Sequence, residues 1–158
     1  MTRALLLLLA CLALAAAGCG GSDDEKASTP EPASTPAATK PEVTVPKQLP
    51  KTLVKKDLKV GDGATATAGK SVTVQYVGVS AVNGRQFDAS WDRGEPFPFT
   101  LGQGEVIQGW DEGVEGMKVG GRRMLVIPPD LAYGAQGSPP NIGPNESLVF
   151  VIDLVSVE

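Results

Sequence analysis

Aromatic rings and hydroxyls are the groups of this 158-residue chain best suited to chemistry, because it has no histidine and only two cysteines, Cys11 and Cys19. Without histidine there is no imidazole base, no Ser-His-Asp relay and no histidine metal ligand. Both cysteines stand near the N-terminus, which excludes a zinc knuckle or a disulfide framework for the rest of the chain. No cofactor or metal is expected. The net charge is −4 and no basic cluster is present to track phosphates, so nucleic acid is not an expected partner. What remains is apolar surface, a few hydroxyls and some carboxylates.

Apart from Trp91, the aromatic residues are Tyr76, Phe87, Phe97, Phe99, Trp110, Tyr133 and Phe150. Taken singly, each ring is accounted for by packing in a core. Their settings say more. In VIQGWDEGVEGMKVGG (106–121), Ile107, Trp110, Val114 and Met117 recur at helical spacing. Trp110 thus opens a short helix, either as an ordinary core residue or as the floor of a pocket. Phe97 and Phe99 stand at i, i+2 in EPFPFTLG, on one face of a strand. Tyr133 sits in PPDLAYGAQGSPPNIGP, a long Gly/Pro loop where packing gives little reason for a phenol. Asp111, Glu112 and Glu115 read as the solvated face of the helix, the first two near its N-terminus where negative charge suits the dipole.

These residues need a scaffold, which the pattern from Thr52 to Glu158 supplies. SVTVQYVGV alternates, with Val72, Val74 and Tyr76 on one face of a strand. Asn83-Gly84 signals a type I′ hairpin turn. RRMLVIPP is a strand stopped by Pro128 and Pro129. ESLVFVIDLVSVE is apolar on both faces, so it belongs at the centre of its sheet. The segment around 107–117 is the one strong helical signal. The fold class is α+β: a twisted antiparallel sheet wrapped around one short helix. No apolar heptad is visible, so a monomer is expected.

The N-terminus reads as an address. MTRALLLLLACLALAAAGCG has one Arg3, an apolar run from Ala4 to Ala17 and small residues after it, the order of a secretory signal. The run is shorter than the ~20 residues of a spanning helix. Ala16-Ala17-Gly18-Cys19 resembles the bacterial lipobox. That resemblance implies a signal peptide at 1–18 and lipid on Cys19, with two or more acyl chains giving stable membrane anchoring on the extracytoplasmic side. Residues 20–51, GGSDDEKASTPEPASTPAATKPEVTVPKQLPK, are rich in Pro, Ala, Ser, Thr and charge. Such a segment cannot bury enough surface to offset chain entropy, so 19–51 is expected to be a lipidated, disordered tether ahead of a domain at 52–158.

The ordered set VGDG (60–63), TVQYVG (73–78), GRQFDAS (84–90), LGQGEVIQGWDEGVEGMKVGGRR (101–123), IPPDLAYG (127–134) and LVFVIDLVSVE (148–158) resembles the FKBP-type peptidyl-prolyl cis–trans isomerases over the whole folded part. The resemblance implies a proline pocket with Trp110 as its floor. Tyr76, Phe87, Phe99, Val106, Ile107 and Phe150 would line it, with Phe97 at the rim and Ile142 completing the set. The Ile107 N–H would bond a ligand carbonyl, the Tyr133 hydroxyl a substrate carbonyl. Asp88 would lie beside the twisting amide, linked to Tyr76 and Arg93. Trp110, Tyr133 and Asp88 would carry the catalysis. The implied activity is isomerisation of Xaa-Pro bonds in exported or unfolded proteins. The implied inhibitors are macrolides of the tacrolimus and rapamycin type. Ser138 stands where many members have histidine, and Asn141 where an apolar residue is common. Both touch the rim that meets residues flanking proline. Two other readings stay open. A binding module or holdase would suppress aggregation without turnover, and a scaffold lipoprotein would capture one dominant partner insensitive to a pocket ligand.

Overall fold

The computed structural model describes residues 39–158. The expected signal peptide, Cys19 and the tether up to residue 38 lie outside the described residues. Six strands form one antiparallel sheet: β1 (Val54–Lys59), β2 (Ser71–Ser80), β3 (Gln86–Ala89), β4 (Phe97–Thr100), β5 (Arg122–Ile127) and β6 (Leu148–Val157). Their order is β1-β5-β6-β2-β3, with β4 also pairing with β2. Among the described residues two α-helices complete the fold, the single turn α1 (Ser90–Arg93) and α2 (Gln108–Val114).

β6 is central, pairing with β5 through Arg122↔Asp153 to Ile127↔Leu148 and with β2 from Val72↔Val157 to Ser80↔Leu148. Its alternation therefore serves two cores. Leu148, Phe150, Ile152 and Leu154 join Val72, Val74, Leu125 and Ile127 around α2. Val149 faces the other way, with Val77, Val79 and Val126. α2 lies close on the sheet because it has no side chain where they meet. A Cβ at Gly113 would come within 2.4 Å of Leu125 Cδ1, and one at Gly109 within 2.4 Å of Ile127 Cγ2.

Several elements depart from expectation, each for a local reason. α2 is shorter than 107–117, because Glu115 turns to ψ 134 and Gly116 takes φ 78. The β2–β3 connection is not a two-residue type I′ turn. Gly84 has φ 71, but Asn83 does not enter the left-handed region. Its side chain accepts a bond from Arg85 N at 2.8 Å, and Ser80 N bonds Arg85 O at 2.9 Å, closing a longer loop. β1 was not apparent in the sequence. Every one of its residues is exposed, and its lysines hide the alternation of an edge strand.

The chain also packs onto the sheet ahead of Thr52, inside the stretch expected to be tether. Val43 and Val45 rest on the second apolar cluster beside Trp91 and Met124. Lys40 pairs with Asp92, and Arg122 Nη2 donates to Thr39 O at 3.0 Å. The spacing of the two valines puts both on one side of an extended segment, a short period-2 signal lost in a proline-rich composition.

Candidate active site

The mouth between α2, β3 and the loop after β5 holds a cavity of about 410 Å³. Tyr76, Phe87, Phe97, Phe150, Val106, Ile107 and Trp110 supply its apolar lining, with Asp88 and Tyr133 as the polar groups expected there. Trp110 is 4% exposed and packs edge-on against Tyr76 (4.9 Å between ring centroids) and Phe150 (5.3 Å). Phe97 crosses it at 6.2 Å, and Phe87 meets Phe150 edge-on at 5.5 Å. Edge-to-face contacts hold the rings by quadrupole attraction as well as by burial. Among the described residues the indole Nε1 of Trp110 is buried without a hydrogen-bond partner.

Two expected wall residues lie behind the lining. Phe99 is buried, stacked on Phe97 at 5.9 Å and tilted against Trp110 at 5.7 Å. Ile142 is 5% exposed and sits in the main core cluster. Gly104 and Glu105 line the cavity instead, on the loop between β4 and α2. Asp111 holds that loop, its carboxylate accepting from Gly102 N at 2.9 Å and Gly104 N at 3.1 Å. It is not simply a solvated helix charge. Glu105 accepts from Thr100 N at 2.9 Å. Nothing in the spacing of these residues distinguished a loop brace from an ordinary acid.

The polar side of the cavity is one connected group. The Tyr76 hydroxyl donates to Asp88 Oδ2 at 2.5 Å. Arg93 pairs with the other Asp88 oxygen, and its Nη2 donates to the Tyr76 hydroxyl at 2.9 Å. The guanidinium also stands 5.6 Å from the Tyr76 ring centroid, within cation–π range. Burial pushes the Tyr76 phenol above the usual tyrosine range, and the bond to Asp88 adds to the rise. Bonding to Tyr76, then to Asp88, keeps Arg93 firmly protonated. Ser90 locks α1 beneath this group: fully buried, it accepts from Tyr76 N at 2.8 Å and donates to Gln75. The sequence offered no sign of that role.

Tyr133 follows a 3-10 turn at Pro129–Leu131 and remains 41% exposed. Partial burial, with the negative charge of Asp88 across the cavity, raises its phenol above the usual range. It is a neutral donor at physiological pH. Ile107 stands just ahead of the first turn of α2 and lends its carbonyl to Trp110 N at 2.8 Å and Asp111 N at 3.3 Å. Its own N–H precedes the helix ladder. Among the described residues no three acidic or cysteine side chains group so as to hold a metal ion. The arrangement suits an uncharged, polar ligand group surrounded by rings.

Comparison with known proteins identifies the family. Residues 63–155 match the model of the FKBP-type peptidyl-prolyl cis-trans isomerase family. The chain is 56% identical over 120 residues to an FK506-binding protein of Streptomyces anulatus, covering 75% of this chain and 97% of that one. It is 54% identical over 101 residues to the 39 kDa FK506-binding nuclear protein of Drosophila melanogaster, 64% of this chain but 28% of that longer protein. Among solved structures, FkpA from Escherichia coli superposes with a TM-score of 0.62 at 43% identity, over 67% of this chain and 48% of the other. AtFKBP13 superposes with the same TM-score at 40% identity, over 67% and 93%. The chain belongs to the FKBP-type peptidyl-prolyl cis–trans isomerases.

Proposed function

We propose that this isomerase accelerates Xaa-Pro exchange in proline-containing segments of exported proteins, from a lipid anchor at Cys19 on the extracytoplasmic side of the cell membrane. The observation that carries the catalytic part is the ring-walled cavity with Asp88, Tyr133 and Ile107 in its lining. The anchoring rests on the lipobox-like Ala16-Ala17-Gly18-Cys19.

The chemistry follows from the amide. Rotation about a peptide bond has a barrier of about 18–20 kcal/mol, because the planar form is stabilised by resonance. At the top of that barrier the C–N bond is nearly single and the carbonyl is less polarised. A water-poor cavity disfavours the polar planar amide more than the twisted one, which is differential binding of the transition state. Trp110, Tyr76 and Phe150 exclude water around the proline ring. The Ile107 N–H and the Tyr133 hydroxyl hold flanking carbonyls, which fixes the segment while the amide turns. Asp88, already satisfied by Tyr76 and Arg93, supplies a fixed dipole and not a base. A thousandfold acceleration needs about 4 kcal/mol, within reach of shape and two hydrogen bonds.

The names of the relatives extend the reading to macrolides of the tacrolimus type, which would occupy the same cavity. The test is the cis–trans exchange rate of an Xaa-Leu-Pro-Phe peptide, followed by NMR with the purified chain, with and without tacrolimus. Acceleration abolished by tacrolimus supports the reading. A folded chain that leaves the rate at its uncatalysed value overturns it and favours a binding module. Membrane recovery of the chain compared with Cys19→Ser tests the anchor separately.

A further inference from the structure

We propose that Glu146 is a positioning residue for this active site: its carboxylate clasps the 134–146 loop and so fixes the Tyr133 phenol at the cavity. The inference rests on the role given above to Tyr133.

Glu146 stands just ahead of β6, away from the cavity lining. One carboxylate oxygen accepts from the hydroxyl of Ser80, at the end of β2. The other accepts from Gly143 N at 2.6 Å. Ser80 is 2% exposed, so its hydroxyl has little access to water, and it also accepts from Val82 N at 3.2 Å. A carboxylate bonded to a buried hydroxyl and a backbone N–H is a charge-assisted clasp, stronger than neutral bonds of the same geometry. It ties the far limb of the loop to the body of the sheet.

That limb is in turn bound to the limb that carries Tyr133. Ser138 N donates to Ile142 O at 2.9 Å and Ile142 N to Ser138 O at 3.0 Å. A Cβ at Gly137 would come within 2.5 Å of Gly143 O, so the limbs touch backbone to backbone. Gly137 N bonds the carbonyl of Tyr133 at 3.2 Å, and Asn145 N that of Gly134 at 2.8 Å. Asn145 takes φ 53, the one left-handed non-glycine among the described residues. Such a conformation persists where neighbours over-determine it, and Glu146 is its immediate neighbour. The path from Glu146 through Gly143 and Gly137 to Tyr133 is continuous. The Ile142 side chain, buried in the main core cluster, is a second attachment of the same loop. Loss of the clasp therefore leaves the loop attached but lets the limbs shift.

The test compares Glu146→Ala, Glu146→Gln and Ser80→Ala in the full chain, each in wild-type and Tyr133→Phe backgrounds. Gln keeps both contacts, because a serine hydroxyl accepts as readily as it donates. We expect Glu146→Ala and Ser80→Ala to lower peptide kcat/KM about three- to tenfold, Glu146→Gln, which keeps the contacts without the charge, to lose less than Glu146→Ala, and none to add to the loss in Tyr133→Phe. Equal losses in both backgrounds, or wild-type kcat/KM in Glu146→Ala, would overturn the proposal. Amide hydrogen exchange gives a readout independent of turnover. Faster exchange at Gly137 and Asn145 in Glu146→Ala, less so in Glu146→Gln, is expected even if the wild-type chain proves inactive on peptides. Unchanged exchange at both amides sinks the clasp while leaving the isomerase reading intact.

Discussion

Gly78 shows how a residue without a side chain shapes the cavity. It lies on β2 between two wall rings, and an added Cβ would stand 2.6 Å from Phe150 Cε1 and 2.8 Å from Phe87 Cζ. Both rings are tips of flexible side chains, so Gly78→Ala should fold but push them into the cavity. We expect kcat/KM to fall about tenfold or more, in line with the sensitivity of catalysis to ångström misplacement, and tacrolimus affinity to fall with it. Titration calorimetry and the peptide assay check both; unchanged affinity would mean the rings retreat elsewhere. Asp88 makes a different prediction. Asp88→Asn keeps shape and removes charge, leaving Arg93 without its anionic partner. If the carboxylate dipole acts on the twisted amide, kcat falls several-fold with KM nearly constant, the signature of an interaction made mainly in the transition state. Equal kcat would reduce Asp88 to a tie between Tyr76 and Arg93. The aromatic set was readable because ring types and spacings survive in a sequence. Ser90, Asp111 and Glu105 were not, because each acts through a hydrogen bond whose partner is fixed only by the fold.

The helix and the sheet approach each other through glycine, and this reverses a usual rule. In an exposed helix, Gly→Ala gains up to about 1 kcal/mol. At Gly113 the new methyl would meet Leu125 Cδ1 at 2.4 Å. Overpacking of that kind costs about 1–3 kcal/mol, so Gly113→Ala should destabilise by about 1–2 kcal/mol, measured as a lower urea midpoint at constant slope. A gain in stability would show that α2 can ride outward freely. The segment at 39–45 is the second element worth a test. Val43 and Val45 close the apolar cluster behind the sheet, and Lys40 reaches Asp92 on α1, the turn that carries Arg93. Replacing both valines by serine should cost about 1–3 kcal/mol for the lost apolar burial and lower Tm by several degrees. No change would return this stretch to the tether. The strands β2, β5 and β6 were legible because both cores impose alternation or continuous apolar runs on them. β1 and the 39–45 segment were not. One borders solvent, and the other is a three-residue pattern inside a Pro- and Lys-rich stretch, where composition outweighs periodicity.

A chain with no histidine has a wide pH plateau built into it. On the low side, the hydrogen bond from Arg123 holds Asp57 below its ordinary value of 3.8. Its contribution is present above that value and is lost as pH falls through the depressed one. On the high side, Tyr76 and Tyr133 are raised above their ordinary value of 10.0, chiefly by burial. A raised acid means that the folded state keeps its proton where the unfolded state gives it up. Stability is therefore full below about pH 10 and declines as pH rises from there through the folded-state values. Turnover follows the same plateau for a separate reason. The Tyr133 hydroxyl must be protonated to donate, and no group with an ordinary value near neutrality takes part. Peptide kcat/KM should be constant within about twofold from pH 6 to 9, and urea midpoints should fall between pH 10 and 11.5 by less in Tyr76→Phe than in wild type. A bell-shaped profile centred near pH 7 would contradict this account, because it would require proton transfer from a group that the cavity does not contain.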